Sequence, residues 1–236
     1  MNCAVMQPTY LPWSGYFALI NLADIFMFYD DAQFSKSSWH YRNKLLCRQE
    51  TKWLSLDIQH HHRQNINETK IALLKKNIRK HQNTLTTYYS KANYYQDAKE
   101  IMTFLTTAPS NNLAEFNMAI IIFISQKLMI STRFLKSSEY SVTGERSNRL
   151  AQYLDIIDCK RYLSPQGSQQ YLQEDNIIEA RFPVTYCDFE PTIYPQHDNN
   201  NNFTPYLSII DVVANLGWQA TSKYIRNMSC QIKNTN

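Results

Sequence analysis

Glycine is scarce in this sequence, which has four Gly among 236 residues. So few glycines argue against a collagen-like helix and against sites built on Gly-rich loops. The sequence also lacks the GxGxxG, P-loop, GxSxG and HExxH patterns. It therefore carries no motif of a dinucleotide-binding protein, an NTPase, an α/β-hydrolase or a zinc protease.

Long apolar runs and paired cysteines are absent as well. The apolar run at residues 119–124 is far short of the roughly 20 residues that span a bilayer. The five Cys lie far apart and form no CxxC pair, which argues against a structural zinc site and favours a reduced protein. The start of the chain has no basic segment typical of a secretion signal. We therefore expect a cytoplasmic protein without a transmembrane segment. Such a protein can still act near the inner face of the membrane.

Aromatic residues and a mild positive charge stand out in the composition. Tyr, Phe and Trp make up 13% of the chain, and 16 of these residues are Tyr. Because Tyr combines an apolar ring with a polar hydroxyl, this content suits a cleft that stacks on ring-shaped ligands. The net charge of +4 permits a phosphate-bearing ligand but is too small to predict nucleic-acid binding. No feature of the sequence requires a cofactor.

The first thirty residues have the outline of a βαβ unit. Apolar runs at 3–6 and 25–29 predict two buried strands, and the segment 15–22 between them predicts a helix. Strand and helix patterns alternate again over 132–189. The sequence therefore predicts an α/β, Rossmann-like fold with a parallel sheet flanked by helices.

The middle of the chain has helical patterns without clear strands between them. An amphipathic basic helix is predicted over 66–81, and a long helix over 113–129. We predict one α/β domain over residues 1–236, with a helical insertion at 60–130. A last helix is predicted over 206–216, with Gly217 as its stop.

Polar segments follow the first two predicted strands. Because ligands sit at the carboxyl ends of parallel strands, residues 7–16 and 30–44 are expected to share one rim of the sheet. In the first segment, two prolines stiffen an aromatic loop, and Gly15 opens a helix whose free N–H groups can meet an anion. The alternative is a rigid turn whose aromatic residues fill the core.

The second segment begins with paired carboxylates. Asp30 and Asp31 can bind a metal, orient a sugar hydroxyl or act as a base, and Arg42 can hold a phosphate. The alternative is a helix-capping Asp among solvated charges.

Two later segments carry further candidates. The residues 144–149 begin a predicted helix with Arg146 and Arg149 within one turn, so they suit phosphate binding or are simply a solvated helix start. In the segment 194–211, Ser208 and Asp211 either form a cap pair or present polar groups to a cleft.

Four segments of this chain resemble the WbqC-like protein family. They are QPTYLPWSGYF at 7–17, ADIFMFYDDAQFSKSSWHYRNK at 23–44, YLSPQGSQQYL at 162–172, and YPQ with FTPYLSIID at 194–211. They follow the family's order over nearly the whole chain, while the helical middle carries little of the resemblance. The resemblance implies a role in bacterial O-antigen, or lipopolysaccharide, biosynthesis. It also implies acyl or aminoacyl (glycyl) transfer onto an amino sugar.

The layout of the first loop is also similar to the HxGH region of nucleotidyltransferase-like α/β proteins. Trp13 and Tyr16 stand where the two His residues of that pattern would fall. Neither side chain carries a positive charge, so this resemblance implies a nucleotide-like or sugar-nucleotide ligand and not ordinary nucleotidyl transfer.

The resulting hypothesis is a transferase that acts on a nucleotide-activated amino sugar, with an acyl or aminoacyl donor as second partner. The alternative is a non-catalytic sugar-nucleotide-binding or scaffold protein of the polysaccharide assembly pathway. Asp31 is the expected base, and Gln7 and Gln33 orient the reacting groups. The expected binding residues are Tyr10, Trp13, Gly15, Tyr16, Phe34, Trp39, Arg42, Asn43, Arg146, Arg149, Gln196, Phe203, Ser208 and Asp211.

Overall fold

A computed structural model describes residues 1–107, 110–197, 199, 202–228 and 230–232. The strands β1 to β10 in chain order are Asn2–Met6, Ile25–Phe28, Arg42–Cys47, Glu50–Ser55, Ile58–Gln59, Lys70–Ile71, Arg133–Lys136, Arg161–Pro165, Val184–Asp188 and Gln231–Ile232. The helices α1 to α7 are Ser14–Leu22, Leu74–Tyr89, Tyr95–Thr106, Leu113–Lys127, Arg146–Ile156, Gln169–Asp175 and Ile209–Asn227.

The central sheet has the strand order β10-β9-β8-β1-β2-β7. Five of these strands are parallel, and β10 adds an antiparallel edge next to β9. The predicted α/β, Rossmann-like fold with flanking helices is confirmed. The strands β3 and β4 form a separate hairpin, and β5 pairs with β6.

The first βαβ unit is formed as predicted. In the pairing of β1 with β2, Cys3 lies opposite Ile25 and Met6 lies opposite Phe28. Both strands are continuously apolar because helices cover both faces of the sheet. Ala4 and Phe26 pack towards α1, α4 and α7, while Val5 packs towards α5 and α6.

The predicted helix over 66–81 begins later than expected, at Leu74. The residues before it form a short 3₁₀ turn at Ile66–Glu68 and the strand β6. A capping box between Asn65 and Glu68 starts that turn, and β6 pairs with β5. These local hydrogen bonds compete with the helix that the apolar spacing favours.

Three helices, α2 to α4, occupy most of the region 60–130. They pack with α1 and α7 in one apolar core on the same face of the sheet. The single-domain division with an insertion at 60–130 stays a prediction.

Gly217, which was predicted to end the last helix, divides α7 into two helical segments. Gly217 has φ 74° and ψ 169°, so the backbone breaks there and the helix then resumes to Asn227. The Asp97 carboxylate accepts a hydrogen bond at 3.0 Å from the freed Trp218 N–H. The first helical segment therefore ends at Gly217 as predicted, and a second segment continues from Trp218 to Asn227.

Candidate functional site

The carboxyl ends of β1 and β8 form a crevice at the centre of the sheet. The chain runs from β1 through β2 to β7 on one side, and then returns to β8 and β9 on the other. The loops after β1 and β8 therefore diverge, and ligands bind at such switch points in open α/β sheets. The residues around this crevice are the candidates for the site.

The two carboxylates that follow β2 have different surroundings. Asp30 is buried and accepts hydrogen bonds from Ser138 N at 3.0 Å and Ser138 Oγ at 2.6 Å. Ser137 Oγ lies 3.0 Å from Asp30 and shares its single proton with Asp31. These bonds tie the end of β2 to the turn that follows β7. Asp30 therefore fixes two neighbouring strand ends relative to each other.

Asp31 is the centre of a charged cluster at the same edge. Its carboxylate pairs with the Arg149 guanidinium and accepts hydrogen bonds from Ser137 Oγ at 2.5 Å and Tyr153 Oη at 3.2 Å. Arg149 lies over the rings of Tyr29 and Tyr153, with distances to the ring centroids of 5.5 Å and 5.6 Å. The negative charge of the carboxylate and the faces of both rings stabilise the positive charge of Arg149. Two residues predicted from the sequence, Asp31 and Arg149, thus meet directly.

The pKa values of this cluster follow from burial and from its charges. Burial and the Asp31 carboxylate raise the pKa of Tyr153 to about 12, so its hydroxyl stays protonated and donates. Burial alone would lower the pKa of Arg149, but the charges that Tyr29 and Asp31 can carry raise it. Asp31 therefore faces three donors, one of which is the permanent cation Arg149. This arrangement suits the positioning of Arg149 better than proton abstraction by Asp31.

A cavity opens beside the cluster, between α5 and α6. It has a volume of ≈ 420 Å³, within the range of about 300–1,000 Å³ that is usual for small-molecule sites. Helix α5 contributes a cation, α6 contributes two carboxylates, and three tyrosines complete the polar lining. The lining residues are Val5, Tyr29, Arg146, Ser147, Leu150, Tyr162, Tyr171, Glu174 and Asp175.

A smaller cavity lies at the carboxyl edge near α1. Its volume is ≈ 180 Å³, and three of the predicted binding residues, Trp13, Gly15 and Tyr16, line it. The Trp13 ring lies against Gly15, at a place where any side chain would collide with the indole. Tyr206 packs edge-on against Trp13, with ring centroids 5.1 Å apart. Four of its twelve lining residues are aromatic, and it lies on the opposite face of the sheet from the larger one.

The two loops expected to share a rim are in contact. The Gln7 side-chain oxygen accepts a hydrogen bond from His40 Nε2 at 2.9 Å. Burial lowers the pKa of His40 to about 4, so this ring is neutral near pH 7. Phe34 is buried against the His40 ring, whereas Gln33 is exposed. The Gln7 oxygen is therefore engaged by His40, and a role of Gln7 and Gln33 beside Asp31 stays a prediction.

Two of the predicted binding residues belong to an exposed aromatic patch on the β3–β4 hairpin. Trp39 and Trp53 have ring centroids 5.3 Å apart, and Arg42 lies 4.4 Å from the Trp53 centroid. Arg42 also donates to the Ser37 carbonyl at 3.2 Å. Trp39 and Arg42 are therefore apart from the lining of the larger cavity.

Two predicted residues from the C-terminal part belong to a buried network. Asp211 accepts hydrogen bonds from Tyr89 Oη at 2.8 Å, Tyr194 Oη at 2.6 Å and Gln196 Nε2 at 3.0 Å. Burial raises the pKa of Asp211, and the three donors act in the opposite direction. Gln196 also donates to the Thr204 carbonyl at 2.9 Å. These contacts hold the 194–211 segment in place.

The remaining predicted residues pack the interior near the first loop. Tyr10 is fully buried, and its hydroxyl meets His81 Nδ1 at 2.8 Å. Asn43 and Ser208 each bond to the Leu11 carbonyl, both at 2.8 Å. Phe203 packs edge-on against Tyr194 with ring centroids 5.2 Å apart.

Several residues of the larger cavity went unnoticed in the sequence. Tyr29, Tyr171 and Glu174 were not singled out there, and neither was Tyr153 beside the cavity. Ser147 lay in the segment 144–149 that was expected to suit phosphate binding. One signal was available, because residues 146, 149, 150 and 153 share one face of the predicted helix at a spacing of three and four. No such pattern in the sequence indicates that α5 and α6 line the same cavity.

Within the described residues, no group of three or more His, Cys, Asp or Glu side chains could hold a metal ion. In the same part of the chain, no helix is long and apolar enough to cross a membrane.

The fold and the crevice define a Rossmann-like α/β protein with a cavity at the topological switch point. Residues 7–223 match the WbqC-like protein family. The chain is also similar to "Uncharacterized protein Rv1507c" of Mycobacterium tuberculosis (strain ATCC 25618 / H37Rv). The two are 30% identical over 227 residues, which cover 94% of this chain and 96% of the relative. No solved structure matches the chain. The chain belongs to the WbqC-like family.

Proposed function

We propose that this protein acts on a nucleotide-activated amino sugar in bacterial surface-polysaccharide (O-antigen) biosynthesis. The observation that carries this proposal is the lining of the 420 Å³ cavity, which combines Arg146 with Glu174 and Asp175. The diphosphate of such a ligand suits Arg146, and its amine and hydroxyl groups suit the two carboxylates. The rings of Tyr29 and Tyr171 suit stacking against a base or a sugar.

The reaction proposed is acyl or aminoacyl transfer, such as glycyl transfer, to the sugar amine. The amine nitrogen attacks the carbonyl carbon of an activated acyl donor, and the bond to the donor's leaving group breaks. A base must take a proton from the nitrogen during this step. Glu174 is exposed in the cavity lining and suits this role. Asp31 acts as a positioning residue for Arg149.

The second candidate is a non-catalytic sugar-nucleotide-binding or scaffold protein of the same pathway. It is favoured by the engagement of Asp31 with three donors, which occupies both oxygens of that carboxylate. The Glu174→Gln variant separates the two candidates. Retained ligand binding with lost transfer would support the enzyme, whereas a wild-type protein that binds and never transfers would support the scaffold.

The proposal is tested by a thermal-shift screen with UDP- and dTDP-linked amino sugars, with and without Mg²⁺. A ligand that binds only the folded protein raises its melting temperature, by about 5–10 °C at a hundred times Kd for a chain of this size. We expect such a shift with an amino-sugar nucleotide and a smaller one with the free amino sugar. The absence of any shift with sugar nucleotides would contradict the proposal.

A further inference from the structure

Helix α5 begins at the larger cavity without a side-chain cap. Its N-cap residue is Glu145, whose side chain makes no capping hydrogen bond, and no acidic residue follows in the first turn. The first N–H groups of a helix have no partner within the helix and form its positive end. Two first-turn residues, Arg146 and Ser147, line the cavity. The uncapped end of α5 is therefore beside the space that a ligand would occupy.

Ser147 supplies a second, independent observation at this place. Its side chain is 1% exposed, and its Oγ has no hydrogen-bond partner among the described residues. Several hydroxyls within the helices bond to a carbonyl four residues back, as Thr84 does to Lys80 and Thr87 to Asn83. Ser147 is too close to the start of α5 to have a helical carbonyl at that distance. A buried hydroxyl without a partner carries a free-energy cost that a ligand oxygen would relieve.

Arg146 adds a cation to the same place. It is exposed, and none of the ion pairs in the described ranges involves it. Its backbone has φ 48°, a left-handed value, at the turn into α5. Arg149, one turn further on, is already paired with Asp31. The free positive charge at this end of the cavity therefore belongs to Arg146 and to the helix.

We propose that a phosphoryl group binds at the start of α5, held by Ser147 Oγ, the first N–H groups of α5 and the Arg146 guanidinium. Phosphoryl oxygens can accept from all three kinds of donor at once. Glu174 and Asp175 on α6 repel an anion, so they confine it to the α5 side of the cavity. This inference deepens the proposed function, on which it rests for the identity of the ligand, because it assigns the phosphate subsite of that ligand.

The test is a calorimetric titration of the wild-type chain and of Ser147→Ala with inorganic phosphate, UDP and a UDP-linked amino sugar. We expect the variant to bind UDP about ten- to a hundred-fold more weakly, as for the loss of a hydrogen bond to a charged group. Its melting temperature without ligand should stay within about 2 °C of the wild type, because no protein hydrogen bond is lost. A merely structural serine would instead change stability and leave affinity unchanged.

Ser125→Ala is the matched control. Ser125 is also fully buried with an unpartnered Oγ, but it lies within α4 and lines neither cavity. This control should bind all three ligands as the wild type does. Equal loss of affinity in both variants would overturn the assignment.

The outcomes separate this inference from the proposed function. Ser147-dependent binding of phosphate and UDP, with no added affinity from the amino sugar, would support the subsite and contradict the proposed substrate. Tight binding of the UDP-linked amino sugar that Ser147→Ala leaves unchanged would overturn the subsite and support the proposed substrate. The absence of binding by any of the three ligands would contradict both.

Discussion

At the scale of single residues, Arg149 is firmly anchored at the carboxyl edge of the sheet. Its guanidinium meets the Asp31 carboxylate and lies over the rings of Tyr29 and Tyr153. The side chains of Arg149 and Asp31 are only 23% and 13% exposed, so the pair is poorly screened by water. A cation held in this way keeps its position when an anionic ligand enters the neighbouring cavity.

Replacing Asp31 by Asn is expected to lower the free energy of unfolding by about 1.5–3 kcal/mol, because a charged acceptor of buried hydrogen bonds is lost. The ion pair of Asp155 with Arg181 offers a matched control, since its side chains are 49% and 44% exposed. Asp155→Asn should therefore cost less than about 1 kcal/mol. Urea unfolding of both variants checks this prediction, and equal losses would contradict it.

The sequence indicated some of these residues and could not indicate others. Asp31 and Arg149 could be predicted because charged residues at the end of a strand and the start of a helix are typical of ligand sites. Ser147 lay within the segment 144–149 that was expected to suit phosphate binding. Neither it nor Tyr29 was singled out, because a serine in a helix and a tyrosine after a strand fit many surroundings. Tyr10 and Asp211 were predicted as binding residues because their chemistry suits a site. The structure instead places their contacts in the interior.

At the scale of elements, the break in α7 shapes the packing of the helical layer. Tyr94 lies so close to Gly217 that a Cβ there would be 2.6 Å from the Tyr94 ring. The Tyr94 N–H donates to the Ala214 carbonyl at 2.9 Å, and Asp97 receives the Trp218 N–H. The start of α3 thus docks into the break.

Gly217→Ala is expected to destabilise the protein by about 1–3 kcal/mol, because φ 74° with ψ 169° is a conformation that only glycine adopts readily. The collision with Tyr94 adds to this loss. Gly167→Ala is the control, since nothing lies within 4 Å of the added Cβ. That variant should stay within about 0.5 kcal/mol of the wild type. Thermal unfolding that shows equal stability for both variants would contradict the prediction.

The elements themselves were predictable wherever periodicity dominated. The strands β1 and β2 carry continuous apolar runs, and α5 carries a clear apolar face. Each of these patterns therefore indicates a single type of element. The helix predicted before Leu74 does not form there. A capping box and the pairing of β6 with β5 compete with the helix that the apolar spacing favours. Long-range pairing of a two-residue strand leaves no pattern in the local sequence.

At the scale of the whole molecule, buried histidines couple folding to pH. Burial lowers the pKa of His40 and of His81 to about 4, against 6.5 for a free side chain. The unfolded chain therefore binds more protons than the folded one between pH 6.5 and pH 4, and stability falls as the pH falls through that window. Asp211 acts in the opposite direction, because its raised pKa favours the folded state at low pH.

The His81→Gln variant isolates one of these contributions. Glutamine can donate to the Ser55 carbonyl and accept from Tyr10, as His81 does, but it does not titrate. We expect wild-type stability to fall relative to this variant by up to about 3 kcal/mol between pH 6.5 and pH 4. Denaturant unfolding at several pH values measures the difference, with the exposed His62→Gln as control. A difference that does not change with pH would contradict the account.

The larger cavity depends on the assembly of the whole sheet, because the helices α5 and α6 that line it belong to separate crossovers. Ligands bind at the carboxyl ends of parallel strands, and this rule predicted the edge of the sheet that carries the cavity. The sequence could not predict that Glu174 and Arg146 would line one cavity, since only the packing of two helices over β1 and β8 brings them together.

The measurement that tests the central claim most directly is a calorimetric titration with a UDP-linked amino sugar. Wild-type protein, Arg146→Gln and the exposed Arg79→Gln on α2 are compared, and both variants lose the same charge. The account predicts that Arg146→Gln binds at least about ten-fold more weakly and that Arg79→Gln binds like the wild type. Equal affinity in all three proteins, or no binding by the wild type, would contradict the claim that this cavity holds the substrate.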